Sequence, residues 1–230
     1  DIIITINKED YLNCKKFKLR NKESKVELIH GVGIDLNKYM LLDEKIKVKK
    51  RKELNLSDED FIILMIADLN RNKNQIQLIK AIGLLKDKYP KLRVLFVGNG
   101  NMLKKLKLES KKLDVSDKIL FLGFRNDINE LINISDIGTL LSYREGLPRS
   151  VMEFMANGKQ VIVTDTRGCR DLVCNENVGT LVKVGDFEGT AKAIEKYYLE
   201  NKKDRINDFN EIGPYTIDNV INKLKNHIYM

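Results

Sequence analysis

The chain has no tryptophan, three prolines, three cysteines and two histidines. So few metal ligands leave little room for a metal centre. His30 and His227 stand far apart, and Cys14, Cys169 and Cys174 lack the paired spacing of a zinc site. An odd number of cysteines also argues against a disulfide framework, and the thiols read as reduced ones of an intracellular protein. No apolar run approaches the roughly 18 residues of a membrane-spanning helix. The opening Asp-Ile-Ile-Ile-Thr-Ile has no basic lead, so no secretory signal is expected there. It reads as a strand already under way, and the chain is expected to be a fragment. Aromatic interleaving, zinc modules and helix-turn-helix patterns are missing too, so a nucleic-acid partner is not expected.

What is present is a basic, apolar-rich chain of 230 residues, 43% hydrophobic, with a net charge of +8. Lysines cluster at Lys45–Lys52 and Lys104–Lys112. They read as solvated helix faces, with attraction to an anionic membrane or to phosphates as the sharper alternative.

Apolar runs with strand character alternate with helical patterns. Ile2–Ile6 and Val26–Ile29 read as strands around a helix at Lys8–Leu19. A polar stretch, Asp35–Lys52, reads as a linker ending in a basic helix. Strands are then expected at Phe61–Ala67, Arg93–Gly98, Ile119–Leu122, Ile137–Leu141, Gln160–Thr164 and Gly179–Val182. The helices between and after them are expected at Gln75–Lys88, Met102–Leu113, Ile128–Ser135, Ser150–Ala156 and Phe187–Glu200. Strand–helix alternation means a parallel sheet covered on both faces, hence an α/β fold of the doubly wound, Rossmann-like kind. A last amphipathic helix, Ile217–Ile228, follows a break at Gly213-Pro214.

The most informative segment runs from Glu145 to Ala156, Glu-Gly-Leu-Pro-Arg-Ser-Val-Met-Glu-Phe-Met-Ala. Its first glutamate sits at the carboxyl end of a strand. Gly146-Leu147-Pro148 makes a turn, and Glu153 lies about one turn inside the helix that Gly158 ends. Strand ends of this kind are where ligands bind in open α/β sheets, and a helix start attracts an anion. A second loop, Ala67-Asp-Leu-Asn-Arg-Asn-Lys-Asn74, offers Arg71 and Lys73 to a phosphate. A third, Val97-Gly-Asn-Gly100, carries Gly98 and Gly100, which would let backbone approach a ligand. A fourth, Phe121-Leu-Gly-Phe-Arg-Asn-Asp127, carries Phe124 and Arg125. Taken singly, each has a plain structural reading: solvated helix-end glutamates, a polar loop, a tight turn, an ordinary strand end.

Taken in order, these motifs resemble those of the retaining nucleotide-sugar glycosyltransferases of family four, whose two domains are both Rossmann-like. The E-x7-E pair, Glu145 and Glu153, matches the family signature, and Lys73 falls on the family's loop lysine. Asp68 stands where many members carry arginine, so that phosphate contact is missing or comes from Arg71. The variant resembles members that build capsular or extracellular polysaccharides. Thr164–Leu172 and Gly179–Val182 also resemble the family and are expected to close the sheet.

The resemblance implies a division of the chain: residues 1–34 a remnant of the acceptor-binding first domain, 35–56 the linker with its basic helix, 57–212 the nucleotide-sugar-binding domain, and 213–230 a helix that crosses back. It implies donor binding by Arg71, Lys73, Gly98, Gly100, Phe124, Arg125, Gly146, Leu147, Arg149, Ser150 and Glu153, and a catalytic role for Glu145 beside the donor sugar. Glu153 would take the ribose hydroxyls, and Arg125 would stack on or lie over the base. The implied substrates are a nucleoside-diphosphate sugar and a glycan or lipid-linked acceptor, with no cofactor and no metal; Asp165 and Asp171 are decoys for one. The implied place is the cytoplasm, with peripheral contact at the inner membrane face. The last helix would offer a surface for self-association. The competing readings are a catalytically inactive sugar-nucleotide-binding or scaffold module and, behind it, another Rossmann-like protein such as an epimerase.

Overall fold

The computed structural model describes residues 2–19, 24–200 and 210–228, with side chains to 226 in the last stretch and from 211 onward. Parts of the expected elements, residues 1, 201–209 and the His227 side chain among them, lie outside the described residues.

The chain opens with a small unit. Strand β1 (Ile2–Thr5) and strand β2 (Lys25–Leu28) pair in parallel, with helix α1 (Lys8–Cys14) between them in sequence. The helix is shorter than the periodicity predicts. Asn7 caps it by accepting from the Asp10 amide, but no residue of the helix is buried, so apolar burial does little to extend it. Helix α2 (Glu44–Glu53) follows the polar stretch, as its lysine-rich sequence predicts.

The main sheet has six parallel strands: β3 (Phe61–Ile66), β4 (Leu92–Val97), β5 (Ile119–Gly123), β6 (Ile137–Leu140), β7 (Val161–Thr164) and β8 (Gly179–Val182). Their order in space is β5-β4-β3-β6-β7-β8. The connecting helices are α3 (Gln75–Leu85), α4 (Leu103–Lys112), α5 (Ile128–Ile134), α6 (Arg149–Ala156), α7 (Arg167–Leu172) and α8 (Phe187–Glu200). The α7 turn is an addition: Thr164–Leu172 carries a short helix as well as closing the sheet. Strand β3 reads Phe-Ile-Ile-Leu-Met-Ile because both of its faces are covered, and Ile62, Ile63 and Leu64 are 0% exposed. One core runs under all the connecting helices from Phe61 to Tyr197.

This order reverses between β3 and β6. The chain winds outward from β3 to β5, crosses back through α5, and winds the other way from β6 to β8. The carboxyl ends of β3 and β6 therefore flank the switch point, the place where open α/β sheets take ligands. The chain closes with α9 (Ile217–Ile228), tied to the segment after β2 by a bridge between Ile34 and Thr216. Val220 is buried, while Ile217 and Ile221 remain partly exposed. Among the described residues no helix is long and apolar enough to cross a membrane.

Candidate functional site

The loops after β3 and β6 are joined at the reversal point. The Tyr143 amide donates to the Asn72 carbonyl at 2.8 Å, and Asn72 Nδ2 donates to the Arg144 carbonyl at 3.0 Å. These bonds bring Lys73 to Glu145, Nζ to Oε1 at 2.5 Å, with the Glu145 side chain only 10% exposed. Lys73 and Glu145 were legible as separate motif residues. Asn72 and Tyr143, which hold them together, were not, because a backbone bond between distant loops leaves no periodic trace.

Helix α6 starts beside this pair. Pro148, extended at φ −73° and ψ 117°, occupies the N-cap position and offers no side-chain cap. The first amides of a helix have no partner inside it, so those of Arg149 and Ser150 are left for an anion. At its other end Gly158 adopts φ +65°, the left-handed turn expected of it.

The sharp turn between Glu145 and α6 is held from two sides. The Gly146 carbonyl accepts from Asn7 Nδ2 at 3.1 Å. Gly168, at the start of α7, lies so close that a Cβ there would meet the same carbonyl at 1.9 Å. Leu147 packs partly buried against the core. Arg167 adds an ion pair to Asp10 at 2.7 Å and a bond from its Nε to the Glu145 carbonyl at 3.3 Å.

Glu153 lies on the buried face of α6 and is 7% exposed. A buried carboxylate needs donors. Here Oε1 accepts from the Tyr39 hydroxyl at 2.6 Å and from Arg149 Nε at 3.3 Å. Burial, and then acceptance by Glu153, push the Tyr39 hydroxyl well above its ordinary range. Tyr39 sits in the stretch that reads as a linker, and its position on Glu153 was missed for that reason. Cys169 is 0% exposed, and burial pushes its thiol up to about 12.

Other expected site residues are placed differently. Phe124 stands 71% exposed just past the end of β5. Arg125 does not share its freedom. Its Nε donates to Asp127 at 2.8 Å, and Nη2 reaches Glu53 of α2 at 3.0 Å. These bonds use the edge of the guanidinium. With Lys50, which bonds Glu53, Asp127 and Glu130, it fastens α2 to the start of α5. The hydrogen bonds from Arg125, and then those from Lys50, hold the Asp127 carboxyl well below its usual range. Gly98 and Gly100 lie close against protein backbone. A Cβ on either would meet the Ala67 or Leu69 carbonyl at 2.2 Å, so they let the β4 turn slide beneath the β3 loop. Arg71 lines a cavity that Lys73 and Glu145 do not line. Asp165 pairs with Arg170, and Asp171 accepts from the Lys8 amide at 2.6 Å. Among the described residues no group of three or more His, Cys, Asp or Glu is gathered to hold a metal ion.

A parallel sheet with a strand-order reversal, two joined loops and a cation–carboxylate pair beside an open helix start defines a doubly wound α/β domain with a candidate site at its switch point. The sequence profile described as "Glycosyl transferases group 1" matches residues 46–213, more than half of the chain. The chain belongs to that family. It is 38% identical over 198 residues to EpsD of Bacillus subtilis (strain 168), covering 86% of this chain and 51% of that protein. It is 34% identical over 188 residues to the N,N'-diacetylbacillosaminyl-diphospho-undecaprenol alpha-1,3-N-acetylgalactosaminyltransferase of Campylobacter jejuni, covering 81% and 48%. The chain thus spans about half the length of these relatives. Among solved structures, Anabaena HepE in complex with UDP and glucose superposes with a TM-score of 0.86 at 22% identity, over 99% of this chain and 62% of that one. WaaG, a glycosyltransferase involved in lipopolysaccharide biosynthesis, does so at 0.73 and 17%, over 92% and 60%. At these identities the likeness shows the fold alone, an α/β, Rossmann-like architecture shared with those structures.

Proposed function

We propose that this chain is the donor-binding half of a retaining glycosyltransferase, taking a nucleoside-diphosphate sugar for transfer to a polysaccharide or lipid-linked acceptor. The observation that carries the reading is the junction of the β3 and β6 loops, which sets Lys73 against Glu145 next to the uncapped start of α6. A diphosphate arriving there would draw Lys73 from Glu145 and accept from the amides around Leu147, Arg149 and Ser150. Glu145, released, would face the donor sugar. Glu153 would accept from the ribose hydroxyls with the oxygen that Tyr39 leaves open, and the exposed Phe124 ring would meet the base. Transfer builds negative charge on the leaving diphosphate. Fixed N–H groups and a lysine aimed at that charge act as a preorganised stabiliser, a large catalytic term that needs no metal.

The finer partners of this reading are a glycan or lipid-linked acceptor and an anionic membrane surface, met through the exposed lysines of α2 and α4. The acetylgalactosaminyltransferase of Campylobacter jejuni, whose name carries a diphospho-undecaprenol acceptor, supports the lipid-linked choice.

Isothermal titration with UDP, GDP and their glucose conjugates, with and without EDTA, tests donor binding. Saturable heat with one base, unchanged by EDTA, is expected. No heat with any of them at millimolar ligand would overturn the reading.

A further inference from the structure

The loop that carries Lys73 has a second side. There a cavity of about 450 Å³ is lined in part by Arg71, Gln75, Ile76, Lys105, Leu106 and Tyr143. Lys73, Glu145 and Glu153 do not line it. It opens between the starts of α3 and α4, rather than against α6.

Four independent features mark it as built for a ligand. Two cations, Arg71 and Lys105, reach it from different elements, and neither forms an ion pair among the described residues. Helix α3 begins on Asn74, held in the left-handed region at φ 51°, with no side-chain cap on its first amides. The Asn74 side chain is spent on Gln77, donating to its Oε1 at 2.8 Å. Gln75, which lines the cavity, is 1% exposed; its Nε2 donates to the Asp68 carbonyl at 2.8 Å, and its Oε1 has no partner among the described residues. A buried amide oxygen without a donor is rare and calls for one. Finally, Ile76 and Leu106 give an apolar floor, and the Tyr143 ring, 57% exposed, stands at the rim.

These features select one chemistry. The cations and the helix start call for a phosphate. The Gln75 oxygen calls for a hydroxyl or amine that donates. The apolar floor and aromatic ring suit the C–H face of a pyranose. We propose that this cavity is a second ligand site, separate from the Glu145–Glu153 site, that takes a phosphorylated sugar: phosphate on Arg71, Lys105 and the α3 amides, ring against Tyr143, and a ring hydroxyl donating to Gln75. The cavity shares its loop with Lys73. A ligand seated there holds Asn72 and Tyr143, the two residues whose bonds keep Lys73 against Glu145.

The test uses the full chain, with glucose 1-phosphate, glucose 6-phosphate, glucose and inorganic phosphate as probes in isothermal titration, repeated at saturating UDP. At least one sugar phosphate is expected to bind more tightly than glucose or phosphate, and to remain bound when UDP is present. Lys105→Glu, at an exposed position, should weaken it by about tenfold or more, the loss of one charge-assisted bond, and leave UDP affinity unchanged. Tyr143→Ala should weaken glucose 6-phosphate while leaving inorganic phosphate unaffected. Displacement by UDP, indifference to Lys105→Glu, or phosphate binding as tightly as its sugar esters would overturn the proposal. Sugar-phosphate binding that depends on Lys105, in a chain that ignores every nucleotide, would uphold this site and refute the donor reading instead.

Discussion

Strands β1 and β3 have similar apolar sequences and opposite surroundings. In β3 every side chain from Phe61 to Met65 is buried. In β1, Ile2 is 40% exposed and Ile4 45%. The six-stranded unit is held by apolar burial on both faces. The first unit is held to it by polar bonds: Asn7 to the Gly146 carbonyl, the Lys8 amide to Asp171, Arg167 to Asp10, and Arg170 to Glu9. Exposed ion pairs contribute about 0–1 kcal/mol each, much less than a buried aliphatic side chain at roughly 1.5–3 kcal/mol. The difference teaches where the site draws its rigidity. Its Glu145 turn is anchored from below by the sheet and from above by a unit whose attachment is weak.

The largest effect should come from the sheet. Leu64→Ala, at 0% exposure, is expected to cost about 2–5 kcal/mol in urea unfolding, while Ile4→Ala should cost under about 1 kcal/mol. Equal losses would erase the contrast. Hydrogen exchange gives the same comparison without mutation: amides of β1 and β2 should exchange at lower protection than those of β3 and β4.

Next comes Glu153→Ala. A carboxylate that binds ribose hydroxyls makes charge-assisted bonds of about 1.5–3 kcal/mol, so UDP affinity should fall roughly 10- to 100-fold with the fold retained. Unchanged affinity would assign Glu153 to the Tyr39 bond alone. Tyr39→Phe probes that bond from its other end. Removing the hydroxyl that serves a buried carboxylate should cost about 1.5 kcal/mol of stability in the same urea assay.

Asp10→Ala should cost under about 1 kcal/mol in stability, as a half-exposed pair does. If the upper anchor matters to the site, it should still loosen the Glu145 turn and raise the UDP dissociation constant relative to an Asp10-independent surface change such as Lys107→Ala. Identical constants would show that the sheet alone sets the turn.

The smallest effect is a pH dependence at the crossover. His30 stacks near Tyr215, ring centroids 4.6 Å apart, and its Nδ1 is buried without a partner among the described residues. Burial, then the charge of Lys223, lower its pKa from 6.5, against the opposing pull of the Pro214 backbone and Asp171. The folded state thus resists a proton that the unfolded chain accepts. This contribution is neutral above pH 6.5 and turns destabilising as pH falls from 6.5 toward the lowered folded value. The melting temperature should drop less between pH 7 and pH 5.5 in His30→Gln than in the parent chain; parallel curves would remove His30 from the account.

Much of this was legible in the residues. The apolar runs placed all six strands of the main sheet, and the stop at Gly158 placed the end of α6. Lys73, Glu145 and Glu153 were nameable because their motifs follow one another in order at strand ends and a helix start, although each alone has a plain structural reading. The protein partners of Arg125 were not legible, for an equally physical reason. A cation at a strand end can serve a ligand or a neighbouring helix, and the carboxylates that captured it come partly from Glu53, 72 positions earlier. Gly98 and Gly100 advertised a close approach without saying to what. Gly168 carried the same signal and was passed over, since its partner, the Gly146 carbonyl, is unknown until α7 is packed.

By itself the sequence determined the local alphabet: which segments extend, which coil, where a helix begins on proline and ends on glycine, and which side chains can carry charge to a ligand. These follow from backbone sterics and from hydrophobic period, and both act within a few residues. Only the tertiary structure decided which charges meet. The reversal between β3 and β6 brought Lys73 to Glu145, the polar stretch after β2 brought Tyr39 to Glu153, and the α2–α5 contact joined Arg125 to Glu53 and Asp127. Hydrogen bonds and ion pairs act over about 3 Å, so their partners depend on how distant segments pack.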